Sequence, residues 1–183
     1  LHGSRSASGY PILANDPHLD LSLPSIWFEI QLSAPGVNVY GASLPGAPAV
    51  ISGFNDSIAW GVTNVGADVM DWFLIKFKDE TRAEYFHAGE WKPTKRVRQE
   101  IMVRGQDEPV ILDVLWTHHG PVVLEPGANS ARANVPQACA LQWMAHQPGN
   151  EFLTFHNLNR SRNYADYVNA LKTFVCPAQN FVF

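Results

Sequence analysis

A carboxylate and an imidazole stand two residues apart in the segment Asp16-Pro17-His18, where Pro17 restricts the backbone between them. Such a pair could bind a metal ion or share a proton. The same residues could form a turn in which Asp16 accepts hydrogen bonds from backbone N–H groups and His18 packs as a structural residue. Residue types alone favour the turn and leave the chemical alternative open.

A second candidate is the loop that contains Gly66, Asp68 and Asp71. Two carboxylates and a main-chain carbonyl between them suit a hard cation such as calcium, which takes about six to eight oxygen ligands. Further ligands would therefore have to come from outside the loop. A solvated turn is the commoner explanation of this spacing.

The other histidines show no metal-binding spacing. His118 and His119 are adjacent and are expected to project in different directions, and His146 and His156 have no partner four residues away. We expect structural or surface roles for these side chains.

No nucleophile can be identified from spacing alone. The Gly-x-Ser-x-Gly motif of α/β-hydrolases is absent, and Cys139 and Cys176 do not lie in a recognisable protease context. The two cysteines could form a disulfide or remain free thiols, so they do not indicate a compartment.

The elements that must position these residues are mostly strands. Proline and glycine interrupt the first fifty residues, and short β-branched and aromatic runs lie at 26–32, 49–52, 58–62 and 72–77. Asn55-Asp56-Ser57 predicts a tight turn. Polar turn signals recur from residue 78, which predicts a small antiparallel β subdomain over 78–123, with strands at 96–103 and 110–117.

The last third predicts helices. Tyr164, Tyr167, Val168, Leu171 and Phe174 follow helical spacing, with Asn163 or Ser161 as the N-cap, and Pro177 ends the pattern. A weaker helix is predicted over 151–158, and a strand over 138–143.

Composition excludes several function classes. Hydrophobic residues make up 46% of the 183 residues, charged residues 16%, and the net charge is −4. This balance is typical of a globular chain, and without a Lys/Arg stripe neither nucleic acid nor an anionic membrane is an expected partner. The apolar runs are strand-sized, too short for a spanning helix.

Several stretches, taken in order, resemble the β subunit of penicillin amidases, a family of N-terminal nucleophile hydrolases. The run Leu13-Ala14-Asn15-Asp16-Pro17-His18-Leu19 is the most specific, and similar stretches cover residues 38–48, 53–64, 68–71, 117–121 and 180–181. The resemblance implies part of a four-layer αββα fold of the α+β class. Residues 1–77 and 124–183 would form its core, and 78–123 the inserted subdomain.

The resemblance also implies the catalytic roles. The main-chain N–H of Asn64 and the side chain of Asn180 match the donors that hold the oxyanion in the family. His18 matches a position beside the nucleophile. Leu19, Ser52 and Val62 correspond to acyl-pocket positions, and the residues that match the calcium loop are Asp68, Asp71 and, through its carbonyl, Met70. No organic cofactor is implied.

In this family the nucleophile is a serine exposed by autocatalytic cleavage, and its own α-amino group serves as the base. The matching Gly-Ser-Asn-x-Trp would precede Leu1, so we expect this chain to be a fragment that lacks the attacking atom. The implied substrate is a small-molecule amide, either a β-lactam with an aromatic acyl group or an N-acyl homoserine lactone. The implied partner is the remainder of the precursor, and the implied location is the periplasm or the exterior of the cell. The rival hypothesis is a non-catalytic β-rich binding module in which the six tryptophans form a ligand platform.

Overall fold

The computed structural model describes residues 1–124 and 138–183, and these residues form an α+β structure of mostly antiparallel sheets with two α-helices. Two compact units are present. Leu1–Ala67 and Pro148–Phe183 form the first, and Asp68–Gln147 form the second. The second unit extends beyond the predicted subdomain of 78–123 at both ends, and residues 125–137 of the predicted third segment lie outside the described part.

The first unit contains one five-stranded antiparallel sheet and both helices. Its strands in spatial order are β1 (Phe28–Ala34), β2 (Val37–Ser43), β3 (Ser52–Asn55), β4 (Ala59–Asn64) and β12 (Gln179–Val182). The helices are α1 (Glu151–Leu158) and α2 (Tyr164–Leu171), and a short 3₁₀ turn covers Gly3–Arg5. β1 and β2 form a hairpin in which Gly36 adopts a φ of 78°, a conformation that favours glycine.

Apolar side chains between this sheet and the helices form the core of the first unit. Trp60 and Val62 alternate along β4 and are 1% and 5% exposed, while Phe155 and Leu158 of α1 and Tyr167 of α2 belong to the same buried cluster. The period of two in the strand and of three to four in the helix places these residues on facing surfaces. This burial fixes the face of β4 that is turned to the helices.

The second unit has its own sheet and a separate hairpin. Its sheet contains, in spatial order, β5 (Met70–Leu74), β11 (Cys139–Trp143), β10 (Gly120–Leu124), β9 (Val110–Thr117) and β8 (Lys95–Ile101). The hairpin consists of β6 (Glu84–His87) and β7 (Glu90–Pro93), and a 3₁₀ turn covers Met144–His146. Ile75, Tyr85, Leu115, Val122 and Ala140 are buried in its core.

Most predicted elements are confirmed in position. α1 has the predicted bounds, and Asn163 caps α2 by accepting a hydrogen bond from the Asp166 N–H at 2.9 Å. α2 ends at Leu171, before the predicted Phe174. The strand predicted over 49–52 is displaced to β3, while the turn at 55–57 is confirmed because Asn55 Oδ1 accepts the Ser57 N–H at 2.9 Å. No helix in the described part is long and apolar enough to cross a membrane.

Candidate active site

The two asparagines predicted to stabilise an oxyanion lie side by side at the edge of the first sheet. β12 pairs antiparallel with β4, which sets Asn180 opposite Thr63 and Gln179 opposite Asn64. Asn180 Nδ2 donates to Thr63 Oγ1 at 3.3 Å and to the Asn64 carbonyl oxygen at 3.4 Å, and Gln179 Nε2 donates to Asn64 Oδ1 at 2.9 Å. Both asparagines are exposed. A neutral amide donor is thus available to solvent next to the end of β4.

Aromatic packing holds β12 in this register. Phe181 lies opposite Val62, its ring centroid is 4.9 Å from that of Phe174 and 6.3 Å from that of Phe155, and all three aromatic rings belong to the buried cluster or pack against it. Because side chains alternate along a strand, inward Phe181 directs Asn180 to the other face. A slip of one residue would bury the amide and expose the ring.

The segment that precedes the sheet is fixed to β4 by Asn15. Its Nδ2 donates to the Val62 carbonyl oxygen at 3.0 Å, and its side chain lies directly over Gly61. A Cβ at position 61 would overlap the Asn15 side chain, so the close approach requires glycine. Asn15 was not assigned a role from the sequence, although it belongs to the most specific motif.

A cleft of about 480 Å³ opens beside Asn64. Val62 and Asn64 of β4 and the predicted pocket residue Leu19 contribute to its wall. The other walls are mostly apolar and include Pro17, Trp27, Leu44, Ile51, Phe152, Phe155, Phe174 and Cys176. Small-molecule sites are commonly concave and apolar with a few polar groups at the rim, and this cleft has that character.

Several of these wall residues were missed in the sequence. Phe152 and Phe155 were recognised only as part of a weak helix, and Phe174 as part of a helical stripe. Glu151 also lines the cleft and accepts the Cys176 N–H at 3.3 Å, which connects the first turn of α1 to the segment that leads into β12. The sequence does show several aromatic residues close to Asn180 on both sides. Residue spacing alone, however, does not predict that they line a cavity.

Ser52, unlike Leu19 and Val62, does not line this cleft. It lines a neighbouring cavity of about 440 Å³ together with Leu13 and Asn15. Its Oγ accepts the Val62 N–H at 3.3 Å, so it contacts the pocket strand from the adjacent strand β3.

The His18 side chain is exposed and engaged with its own segment. Its Nδ1 is 2.9 Å from the Asp16 carbonyl oxygen, and its Nε2 is 3.9 Å from Asp16 Oδ2. Pro17 and Leu19 on either side line the cleft, whereas the His18 ring is 87% exposed. Within residues 1–124 and 138–183 we find no hydrogen bond from His18 to Asn64 or Asn180.

The predicted calcium residues belong to the second unit. Asp68, Met70 and Asp71 are all exposed, and Asp71 lies on β5 opposite Gln142. Their oxygen donors are of the kind that calcium prefers, but two carboxylates are fewer than such an ion needs. Among the described residues, no group of three or more potential ligands includes either aspartate.

The second unit does bring three histidines together. The adjacent His118 and His119 form the two-residue turn between β9 and β10, and their ring centroids are only 3.7 Å apart. The prediction that these rings project in different directions is wrong, because it applies to neighbours in a strand and not to a turn. His87 of β6 completes the group, with its ring centroid 3.9 Å from that of His118.

The two cysteines are free thiols. Cys139 is buried on β11, and burial raises the pKa of its thiol. Cys176 is half-buried and lines the cleft. Of the two alternatives left open by the sequence, the structure has the unpaired one.

Comparison with known proteins agrees with this geometry. A family model described as penicillin amidase matches residues 1–183. The acyl-homoserine lactone acylase QuiP of Pseudomonas syringae pv. tomato is 33% identical over 180 residues, covering 98% of this chain and 21% of that protein. Its counterpart in Pseudomonas aeruginosa is 36% identical over 139 residues, covering 75% and 16%. The penicillin acylase 2 proenzyme of a Pseudomonas species is 32% identical over 120 residues, covering 65% and 15%.

This chain therefore spans about a fifth of the length of the curated relatives that it matches. Among solved structures, the thermostable penicillin G acylase from Alcaligenes faecalis matches with a TM-score of 0.71 and 24% identity, covering 91% of this chain and 29% of that chain. The structural match confirms the predicted fold class.

Proposed function

This chain belongs to the penicillin amidase family, and from that membership we propose that it is part of an amide hydrolase that removes an acyl group from the nitrogen of a small molecule. The observation that carries the proposal is the position of the Asn180 amide, whose nitrogen lies 3.4 Å from the carbonyl oxygen of Asn64, a residue that lines the apolar cleft. Amide hydrolysis needs two things from this region: hydrogen-bond donors for the oxyanion and a pocket for the acyl group.

In the proposed reaction, the remainder of the precursor supplies an N-terminal serine. Its hydroxyl oxygen attacks the carbonyl carbon of the amide while its α-amino group takes the hydroxyl proton. That proton passes to the leaving amine as the C–N bond breaks, and the acyl group remains on the serine as an ester. Water then attacks the ester, and the carboxylic acid is released.

The residues of this chain act on the charge that develops during this attack. The main-chain N–H of Asn64 and the side-chain amide of Asn180 would donate to the oxyanion of the tetrahedral intermediate. The hydrogen bonds that Asn180 makes in this structure are long, at 3.3 and 3.4 Å. Such weak bonds are readily exchanged for a shorter, charge-assisted bond to an oxyanion. His18 is proposed to stand beside the nucleophile and to orient it with its exposed ring, which contacts Asp16 in this structure.

The cleft indicates the class of acyl group. Leu19 and Val62 contribute aliphatic surface, and Trp27, Phe152 and Phe174 contribute aromatic surface. An apolar acyl group would be stabilised here by removal of its surface from water. Ser52 would act from the neighbouring strand β3 by fixing the Val62 backbone. We propose a penicillin-type substrate with an aromatic acyl group. The alternative expected from the sequence, an N-acyl homoserine lactone, is supported by the named activity of the QuiP relatives.

The proposal also includes a calcium site, a protein partner and a cellular location. Asp68, Asp71 and the Met70 carbonyl would supply part of a structural calcium site, with further oxygens from outside this chain. The partner is the rest of the precursor, including its α subunit. The expected location is the periplasm or the exterior of the cell.

The direct test uses the processed full-length protein with two substrates, a chromogenic phenylacetyl amide and a long-chain N-acyl homoserine lactone. Release of the amine from either substrate, lost when the N-terminal serine is replaced, supports the amidase. A non-catalytic binding module would bind these compounds without hydrolysing them, and that result would overturn the proposal.

A further inference from the structure

The three-histidine group of the second unit has the composition of a metal centre. Candidate ligand atoms of His87, His118 and His119 all lie within 4.8 Å of one another. Two nitrogens bound to one tetrahedral zinc ion are about 3.4 Å apart, since each Zn–N bond is about 2.1 Å. Closing the largest separation takes a shift of about 0.7 Å per ring.

Two of the three rings already have a polar partner at Nδ1. His118 Nδ1 is 3.0 Å from Tyr85 Oη, which also accepts the His118 main-chain N–H at 3.2 Å. His119 Nδ1 is 3.4 Å from Gln142 Oε1. Metal-binding histidines are usually held in this way by a second partner, which fixes the ring and leaves Nε2 as the ligand.

The fold also limits the freedom of the rings. His119 stacks on Phe73 with ring centroids 3.8 Å apart and planes 7° apart. Gly120, which follows the turn, has a φ of 139°, and a side chain there would overlap the Leu141 carbonyl oxygen. Tyr85 and His87 are two residues apart on β6 and so share one face of the hairpin. The turn and the hairpin thus place all three imidazoles together.

From this arrangement we propose that His87, His118 and His119 bind a divalent transition-metal ion of the Zn²⁺ class. Imidazole suits zinc and copper, whereas calcium prefers oxygen ligands. Three imidazoles leave a fourth coordination position for water or an external group. His118 is exposed while His87 and His119 are half-buried, so an ion can enter from solution.

The test uses the processed protein that contains this chain, purified without a polyhistidine tag, stripped with chelator and returned to buffer with Ca²⁺. Titration with Zn²⁺ alone is expected to show a site that His87→Gln and His119→Gln weaken at least tenfold. His156→Gln, which removes an exposed histidine of α1, should leave the titration unchanged. With Cu²⁺ in place of Zn²⁺, electron paramagnetic resonance should show coupling to several imidazole nitrogens.

Tyr85→Phe separates a built site from loose chelation by surface histidines. It keeps all three ligands but removes the hydroxyl that holds His118, and we expect an affinity loss of about 10- to 100-fold. Thermal unfolding in chelator verifies that each variant is folded. Absence of a zinc site in the wild type, or equal zinc affinity in wild type and His87→Gln, overturns the proposal.

Discussion

The side-chain nitrogen of Asn180 lies 3.4 Å from the main-chain carbonyl oxygen of Asn64, although the two residues are 116 positions apart in the sequence. Pairing of β12 with the end of β4 produces this proximity, and Phe181 fixes the register by packing into the aromatic cluster. The amide is therefore held at one position along β4 while its N–H groups stay exposed. An oxyanion site requires such a hydrogen-bond donor, one that is fixed in position but makes only weak hydrogen bonds before the oxyanion forms.

Removing this donor should lower activity with little effect on stability. Asn180→Asp keeps the shape of the side chain but replaces the N–H donor by an oxygen that bears negative charge. We expect kcat/KM for amide hydrolysis by the processed enzyme to fall about 10²- to 10³-fold or more. Because the side chain is exposed, the thermal midpoint should change little.

The matched control for this change is Asn169→Asp, at an exposed asparagine of α2 whose Oδ1 accepts a hydrogen bond from Lys172. Steady-state kinetics of both variants on the same acyl amide provide the comparison. If Asn180→Asp retains kcat/KM within threefold of the wild type, Asn180 does not hold the oxyanion.

Leu19 should set the size of the acyl group that fits the cleft. Leu19→Trp adds volume to the cleft wall and is expected to reduce kcat/KM for a long acyl chain about 10- to 100-fold more than for a short one. Leu21→Trp is a close control, since Leu21 is two residues away and fully exposed. Equal losses on long and short substrates would show that Leu19 acts on folding or processing and not on acyl selection.

Local elements were predictable because their signals are local. The Asn163 cap and the apolar spacing of α2 indicated that helix, and Asn55 indicated its turn, because both depend on residues within one or two turns of chain. The end of α2 at Leu171 was not predictable from the pattern, since Phe174 belongs to the same buried cluster without being helical. The apolar character of Phe174 therefore led to a predicted helix that was too long.

The sites depended on long-range register, which spacing does not encode. Asn64 and Asn180 were identified by resemblance to a family, and their contact follows from packing of β12 that no local pattern specifies. His87 was not selected at all, because it has no histidine at a metal-binding spacing along the chain. Only the meeting of the β6 hairpin with the β9–β10 turn brings it to His118.

The two free thiols should differ sharply in reactivity. Burial raises the pKa of Cys139 and hinders access to it, whereas Cys176 is half-buried in the cleft wall. The thiolate is the reactive form, so we expect iodoacetamide to label Cys176 well before Cys139 in the folded protein. Peptide mass spectrometry over a time course gives both rates in one experiment.

Occupancy of the cleft should be visible in the same assay. A carboxylic acid with an apolar chain, which corresponds to the product of the proposed reaction, is expected to slow the labelling of Cys176 and leave that of Cys139 unchanged. Faster labelling of Cys139 than of Cys176 in the native protein would contradict the assigned burial.

Asn159 should be among the most important polar residues for stability of the first unit. Its Oδ1 accepts the Val50 N–H at 2.9 Å and its Nδ2 donates to the Val50 carbonyl oxygen at 2.8 Å, while Val50 is completely buried. The Asn55 side chain donates in turn to the carbonyl oxygens of Asn159 and Ser161. The end of α1 is thus joined to the chain between β2 and β3 by buried hydrogen bonds.

Asn159→Ala would leave both polar groups of Val50 buried without these partners. Each unpaired group costs about 1–3 kcal/mol, so loss of both partners should lower the free energy of unfolding by about 2–6 kcal/mol. Asn159→Asp retains an acceptor for the Val50 N–H but sets a carboxylate against the Val50 carbonyl, so it should also destabilise the protein. Asn169→Ala, at an exposed site, should stay within about 0.5 kcal/mol of the wild type. Urea unfolding followed by tryptophan fluorescence measures all three variants, and a loss below 1 kcal/mol for Asn159→Ala would mean that water or a shifted backbone replaces the lost bonds.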